Sequence, residues 1–282
     1  WNTMTERIGF WVDLEHPYIT MDNNYIETVW WAIKQMWDKG LVYQGHRVTP
    51  HCPRCGTSLS SHEVAQGYQD DTEDPSVYIK FEIAKSLYKK PGFLEELRDG
   101  YGNRAADFAR WLIDLVGSKP VYLLAWTTTP WTLPGNTALA VSADAEYSIV
   151  ELDNEYLILS SARMGQVGLD NMSAIAKVKG IDLVDLRYEP LFNPHDYGIT
   201  VQTMTRLDKK GRPSADIIWK RGGTLNYPVI TTGFVTMEDG TGIVHIAPAY
   251  GETDYQAGLD NVLDFVHQVN LDGKITGSSP FS

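Results

Sequence analysis

The sequence predicts a mixed α+β protein: a domain centred on a β-barrel with peripheral helices, preceded by a small helical, zinc-ribbon-like connector. Three observations predict it. Short apolar runs recur between Gly, Pro, Asn and Asp residues over most of the chain beyond residue 71, two stretches carry helical periodicity, and a Cys-x-x-Cys turn stands near the start. Many short strands with turn residues between them suggest a barrel.

Residues 21 to 40 read as a helix, because Ile26, Val29, Trp30, Ile33, Met36 and Trp37 recur on one face at three- and four-residue spacing. Asn24 and Glu27 resemble a capping box at its start, and Gly40 suits its end. Its aromatic stripe reads as core packing. His51-Cys-Pro-Arg-Cys-Gly-Thr57 is a tight turn carrying two thiols, and the acidic stretch from Asp70 to Pro75 looks like a linker. A boundary is placed there, giving residues 1–70 as connector and 71–282 as the barrel domain.

Beyond the linker, Val77, Ile79, Phe81 and Ile83 alternate with Tyr78, Lys80 and Glu82, the period-two mark of a half-buried strand. Further strands are expected at 121–126, 138–141, 147–152, 156–159, 175–178, 199–204, 229–235 and 243–246. One helical interruption is expected between Phe93 and Val116, where Ala105, Phe108, Leu112 and Leu115 share a face.

With 282 residues, 43% hydrophobic and 21% charged, the chain can bury a core and does not resemble a disordered protein. Two cysteines so close together cannot form a disulfide framework, so a reducing, cytoplasmic setting is expected. No apolar run reaches the length of a membrane span, and no signal peptide opens the chain. The opening Trp1 and the polar 277–280 tail suggest a piece of a longer protein. A net charge of −12 repels phosphate at long range, so any RNA partner must be delivered or gripped locally. The exception is a basic cluster, Arg206, Lys209, Lys210, Arg212, Lys220 and Arg221, which reads first as a solvated loop.

Two segments carry chemistry. Ala125-Trp-Thr-Thr-Thr-Pro-Trp-Thr-Leu-Pro-Gly-Asn-Thr-Ala138 leaves a strand, turns at two prolines and a glycine, and offers hydroxyls that both donate and accept. Gly240-Thr-Gly-Ile-Val-His-Ile-Ala-Pro-Ala-Tyr-Gly-Glu-Thr-Asp254 is a Gly-rich turn, a short strand and a loop ending in a carboxylate. Taken singly, His245 reads as a hydrogen-bonded strand residue and Asp254 as a helix N-cap.

Together these segments resemble the editing domain inserted in the class I synthetases for isoleucine, valine and leucine. The Trp126-Thr-Thr-Thr-Pro-Trp-Thr-Leu-Pro-Gly-Asn136 form is like the isoleucyl branch, since the other two place Arg where Thr129 stands. Tyr18-Ile-Thr-Met, Tyr25-Ile-Glu-Thr-Val-Trp-Trp and Cys52-Pro-Arg-Cys-Gly-Thr look like the family's connector, so the resemblance covers almost the whole chain. The ATP-site signatures His-Ile-Gly-His and Lys-Met-Ser-Lys-Ser are absent, so aminoacylation, with its ATP and magnesium, is expected only of the parent enzyme.

The resemblance implies hydrolysis of the ester in mischarged valyl-tRNA(Ile). Valine is smaller than isoleucine by one methylene, which a pocket discriminates by only ~1–3 kcal/mol, a figure established on this enzyme family itself. A second, narrower site must then destroy the wrong ester. By resemblance, Asp254 accepts the α-ammonium, Thr127, Thr128 and Thr129 position the terminal adenosine and the ester carbonyl beside a water, and His245 limits the pocket's size. Asn136, Trp126, Trp131 and Thr132 complete the substrate-binding set. Editing is expected to need no cofactor. Cys52 and Cys55 supply half of a zinc site, for which His46, His51 and His62 are nearby candidates. The implied partners are the acceptor end of tRNA(Ile) carrying valine and the remainder of the synthetase, in a monomer. The competing expectation is a noncatalytic module that only holds the tRNA acceptor end.

Overall fold

The computed structural model describes the chain apart from residues 43–45, 66–70, 74, 86–91, 208–212, 222–224 and 277–282, and gives backbone alone for 205–207 and 213–221. Two compact units result, Trp1–His46 and Arg47–Ser282. The boundary expected after residue 70 falls at the edge of an undescribed stretch. The basic cluster's side chains also lie outside the described residues.

The first unit holds α1 (Asn2–Arg7) and α2 (Asn23–Asp38). The expected capping box is not formed: Asp22 is the N-cap and bonds no helix N–H through its side chain. Asn24 instead lies inside the helix, where its carbonyl accepts the Thr28 hydroxyl at 2.7 Å. The other end closes as expected. Gly40 takes φ +69°, its N–H donates to Trp37 O at 2.9 Å and Leu41 N–H donates to Met36 O at 3.0 Å, the paired bonds of a Schellman motif. The aromatic stripe packs into no core within this unit, since neither helix buries a residue and Trp30 and Trp37 are 64% and 66% exposed. Periodicity reports an apolar face, whereas a core also needs an opposing element, and α1 is only one short helix.

The second unit opens with the thiol turn between antiparallel β1 (His51–Cys52) and β2 (Thr57–Ser58), then α3 (Ser61–Ala65). In β3 (Val77–Glu82) Phe81 is fully buried while Tyr78 and Lys80 face out, as the alternation predicts. The single helix expected from 93 to 116 is two, α4 (Phe93–Tyr101) and α5 (Asn103–Ser118). Gly102 separates them at φ +89°, a conformation that glycine adopts without a Cβ clash. Along α5, Ala105, Phe108, Leu112 and Val116 are buried.

Next come β4 (Val121–Thr127), β5 (Ala138–Val141), β6 (Glu146–Leu152), β7 (Glu155–Ser160) and β8 (Ala174–Lys179), then β9 (Val201–Leu207), β10 (Pro213–Arg221), β11 (Val229–Thr231), β12 (Ile243–Ile246), α6 (Glu252–Asp260) and β13 (Asp264–Val266). The main sheet runs β3-β4-β7-β6-β8, with β4 and β7 parallel. Two three-stranded sheets run β10-β9-β13 and β11-β5-β12. Among the described residues these ladders are open and no closed barrel forms, which corrects the expected closure. Alternation reveals which face a strand buries but not which edges it pairs.

The sheet that positions the site is β11-β5-β12. Its middle strand is buried along its whole length. Leu139 and Val141 join the principal core with Phe81, Leu112, Leu123 and Ile158. Ala138 and Ala140, facing the other way, leave room for a second core with Ile230, Ile246 and Ala257. Each fully buried Leu or Ile side chain contributes roughly 1.5–3 kcal/mol. No described helix is long and apolar enough to cross a membrane.

Candidate active site

The threonine run begins where β4 ends. Thr127 is buried, and its Oγ1 accepts the Thr129 N–H at 3.1 Å, folding the chain back into a short side-chain turn. Thr128 and Thr129 carry exposed side chains. A 3₁₀ turn over Pro130–Gly135 follows, with a proline at its start. There Thr132 is buried and its hydroxyl donates to Thr129 O at 2.8 Å. Asn136 ends the turn with both amide atoms engaged: Nδ2 donates to Ala138 O at 2.8 Å, and Oδ1 accepts the Tyr188 hydroxyl at 2.6 Å.

The second segment comes from β12. His245 pairs with Leu139 across the ladder and is 5% exposed. Burial pushes its imidazole down to about 4, so the ring is neutral at pH 7. Asp254 lies in the first turn of α6, where the helix N-terminus favours an anion. Its Oδ2 accepts the Ala247 N–H at 2.8 Å. Burial raises the carboxyl's affinity for its proton, and this bond opposes that shift.

Several contacts join the segments. Thr132 Oγ1 stands 2.9 Å from His245 Nε2. Trp131, 56% exposed, meets the ring of Tyr250 edge-on at 5.7 Å. Thr137 N–H donates to Ile246 O at 2.9 Å. The two segments therefore adjoin through their buried residues, with exposed threonine hydroxyls on one and a partly buried carboxylate on the other.

Several contributors were not foreseen. Tyr250 lies in the expected Ala-Pro-Ala-Tyr loop and packs so close to Gly135 that a Cβ there would stand 2.5 Å from its ring. Gly240, at φ +61°, leaves no room for a Cβ against Trp126, which it would approach to 2.8 Å. Arg163 Nε donates to Gly240 O at 3.1 Å and so holds this loop against the indole. These are close approaches of backbone to ring, which only the glycines themselves could have signalled. A cavity of about 260 Å³ lined by Tyr101, Thr137, Asp185, Arg187, Asn226 and Asp264 includes none of the expected site residues.

Cys52 is half-buried and Cys55 exposed, both as free thiols. The Cys55 N–H and thiol draw the Cys52 thiol below its usual range. His51, one of the candidate ligands, has Nε2 2.7 Å from Leu271 O. Among the described residues no group of three or more His, Cys, Asp or Glu could hold a metal ion. A structural zinc site takes four ligands, and the described residues add none to the two thiols to complete such a set.

The fold and the motif-bearing site define a class that comparison makes explicit: the chain belongs to the class I tRNA synthetases, whose family model, described as tRNA synthetases class I (I, L, M and V), matches residues 1–264. Its relatives include the isoleucine–tRNA ligase of Dehalococcoides mccartyi, 55% identical over 282 residues, covering 100% of this chain and 25% of that protein. The isoleucine–tRNA ligase of Clostridium acetobutylicum is 40% identical over 274 residues, covering 97% of this chain and 21% of that protein. The chain thus spans about a quarter of the length of the curated relatives it matches. The crystal structure of the P. knowlesi cytosolic leucyl-tRNA synthetase editing domain matches 68% of this chain and 67% of its own, with TM-score 0.39 and 14% identity, too distant a likeness to bear on function.

Proposed function

We propose that this chain is the editing part of an isoleucine–tRNA ligase and hydrolyses the ester of valyl-tRNA(Ile). The observation that supports the reading is the contact of Thr132 with His245, through which the threonine segment and the carboxylate-bearing segment adjoin. Asp254 receives the α-ammonium on Oδ1 while Oδ2 stays tied to Ala247, a charge-assisted bond that selects an aminoacyl end over a bare ribose. Thr128 and Thr129 face the terminal adenosine and the ester, and Thr127 holds their turn. Trp126 and Trp131 flank the loop, and Asn136 braces it from within.

A positioned water attacks the ester carbonyl carbon, the bond from that carbon to the ribose oxygen breaks, and that oxygen leaves with a proton as the terminal hydroxyl. The substrate's vicinal hydroxyl assists. Proximity supplies much of the acceleration. The catalysis needs no cofactor, and ATP and magnesium serve aminoacylation elsewhere in the ligase. The partners are the acceptor end of tRNA(Ile) and the remainder of the synthetase, within a cytoplasmic monomer. Residues 71–282 make up the editing domain, and residues 1–70 make up the connector, whose thiols contribute two ligands to a zinc ribbon.

Binding of non-hydrolysable adenosine esters tests the size limit. The valyl analogue is expected to bind measurably and the isoleucyl analogue not, whereas equal affinity would refute the sieve. A noncatalytic module would bind the valyl analogue yet leave valyl-tRNA intact.

A further inference from the structure

The contact between Thr132 and His245 has the spacing of a hydroxyl nucleophile and its base, but the hydrogens are arranged otherwise. Thr132 Oγ1 is 2.8 Å from Thr129 O and 2.9 Å from His245 Nε2. A carbonyl oxygen carries no hydrogen, so two oxygens approach to 2.8 Å favourably only if the threonine hydroxyl donates. That uses the single hydrogen of Thr132. Its lone pair then faces Nε2, which must bring the hydrogen for the second bond. Among the described residues His245 Nδ1 is buried without a partner, and a proton there would be an unsatisfied donor in a buried place.

We infer that Thr132 is a positioning residue that holds His245 in the Nε2–H tautomer through the relay His245 Nε2–H to Thr132 Oγ1–H to Thr129 O, leaving Nδ1 as a bare acceptor. The relay ties the ring to the backbone of the third threonine, so the histidine and the ester-positioning turn move as one piece. Thr132 is thereby not a nucleophile, since its proton lies on the carbonyl side. His245 serves as an acceptor and wall instead of supplying a proton to the departing ribose oxygen. The effect of the relay on rate rests on the editing proposal, whereas the tautomer does not.

Ring nitrogen NMR shifts of His245 at pH 7 in the full chain, assigned by comparison with His245→Gln, test the inference. A protonated Nε2 and a bare Nδ1 are expected in the unsubstituted protein and in Thr132→Ser, which keeps the hydroxyl. Thr132→Val should shift the ring toward a mixture or toward the Nδ1–H form. Its kcat on valyl-tRNA(Ile) should fall about tenfold with little change in KM, the weight of one lost hydrogen bond, and Thr132→Ser should restore it. A protonated Nδ1 in the unsubstituted chain, or ring shifts unchanged in Thr132→Val, overturns the inference. Should the shifts follow expectation while no ester is hydrolysed, the relay stands and the editing proposal falls.

Discussion

Asp254 is tied to Ala247 across the loop that leaves β12, its Oδ2 accepting the backbone N–H at 2.8 Å. The bond fixes one carboxylate oxygen and, with it, the direction in which the other points. It also spans the Pro248–Thr253 turn, so the strand carrying His245 and the helix carrying Asp254 are joined by a side chain as well as by the backbone.

Substitution at Asp254 separates those duties. Asp254→Asn retains an oxygen for the Ala247 N–H and loses the charge, so the fold should persist while valyl-tRNA hydrolysis falls by about 10- to 150-fold, the weight of a charged hydrogen bond. Asp254→Ala should abolish it. Rates measured beside urea unfolding curves check this, and an Asn variant as fast as the unsubstituted chain would remove Asp254 from the site.

His245 makes stability depend on pH. Its folded value is about 4 against 6.5 unfolded, so the unfolded chain takes up the proton first. The contribution is complete above about pH 6.5 and is lost as pH falls through about 4, on the order of 3 kcal/mol in all. Urea midpoints between pH 7 and 4 should fall less steeply in His245→Gln than in the unsubstituted protein.

Gly240→Ala should destabilise the unit by about 1–2 kcal/mol, because it adds a Cβ at φ +61° and drives it toward Trp126. The urea midpoint reads the stability. Slower deacylation would accompany it, since Trp126 directly precedes the threonine turn.

Tyr188→Phe leaves the buried ring in place and removes the donor to Asn136 Oδ1. A buried acceptor without a partner costs about 1–3 kcal/mol. Thermal unfolding should register that loss, and deacylation should slow because the brace under the turn is gone.

Much of the scaffold could be read from the sequence. The strands at 138–141 and 243–246 fall where expected to the residue, because short apolar runs there are bounded by Asn, Gly and Pro. The strand expected to reach Val235 stops at Thr231, ahead of Gly233, where the chain leaves the ladder. β10 escaped notice because its cations mask any alternation; of α6 only a start at Asp254 was legible, and the N-cap is Gly251 instead, with Asp254 inside the first turn, because Gly258 and the acids around it blur a helical face. Sheet closure depends on edge pairing between distant strands, which periodicity does not encode. The motifs singled out Thr132, His245 and Asp254 as candidates, whereas the bridge that one hydroxyl makes between a carbonyl and an imidazole is visible only in the folded chain. Tyr250 and Gly240 matter through close packing, a property of shape rather than residue type.

The most direct measurement is hydrolysis of valyl-tRNA(Ile) and isoleucyl-tRNA(Ile) by the purified chain, followed by release of the labelled amino acid. Editing predicts that the valyl ester disappears well above its spontaneous rate while the isoleucyl ester persists. Equal rates for the two esters, or no acceleration of either, would contradict it.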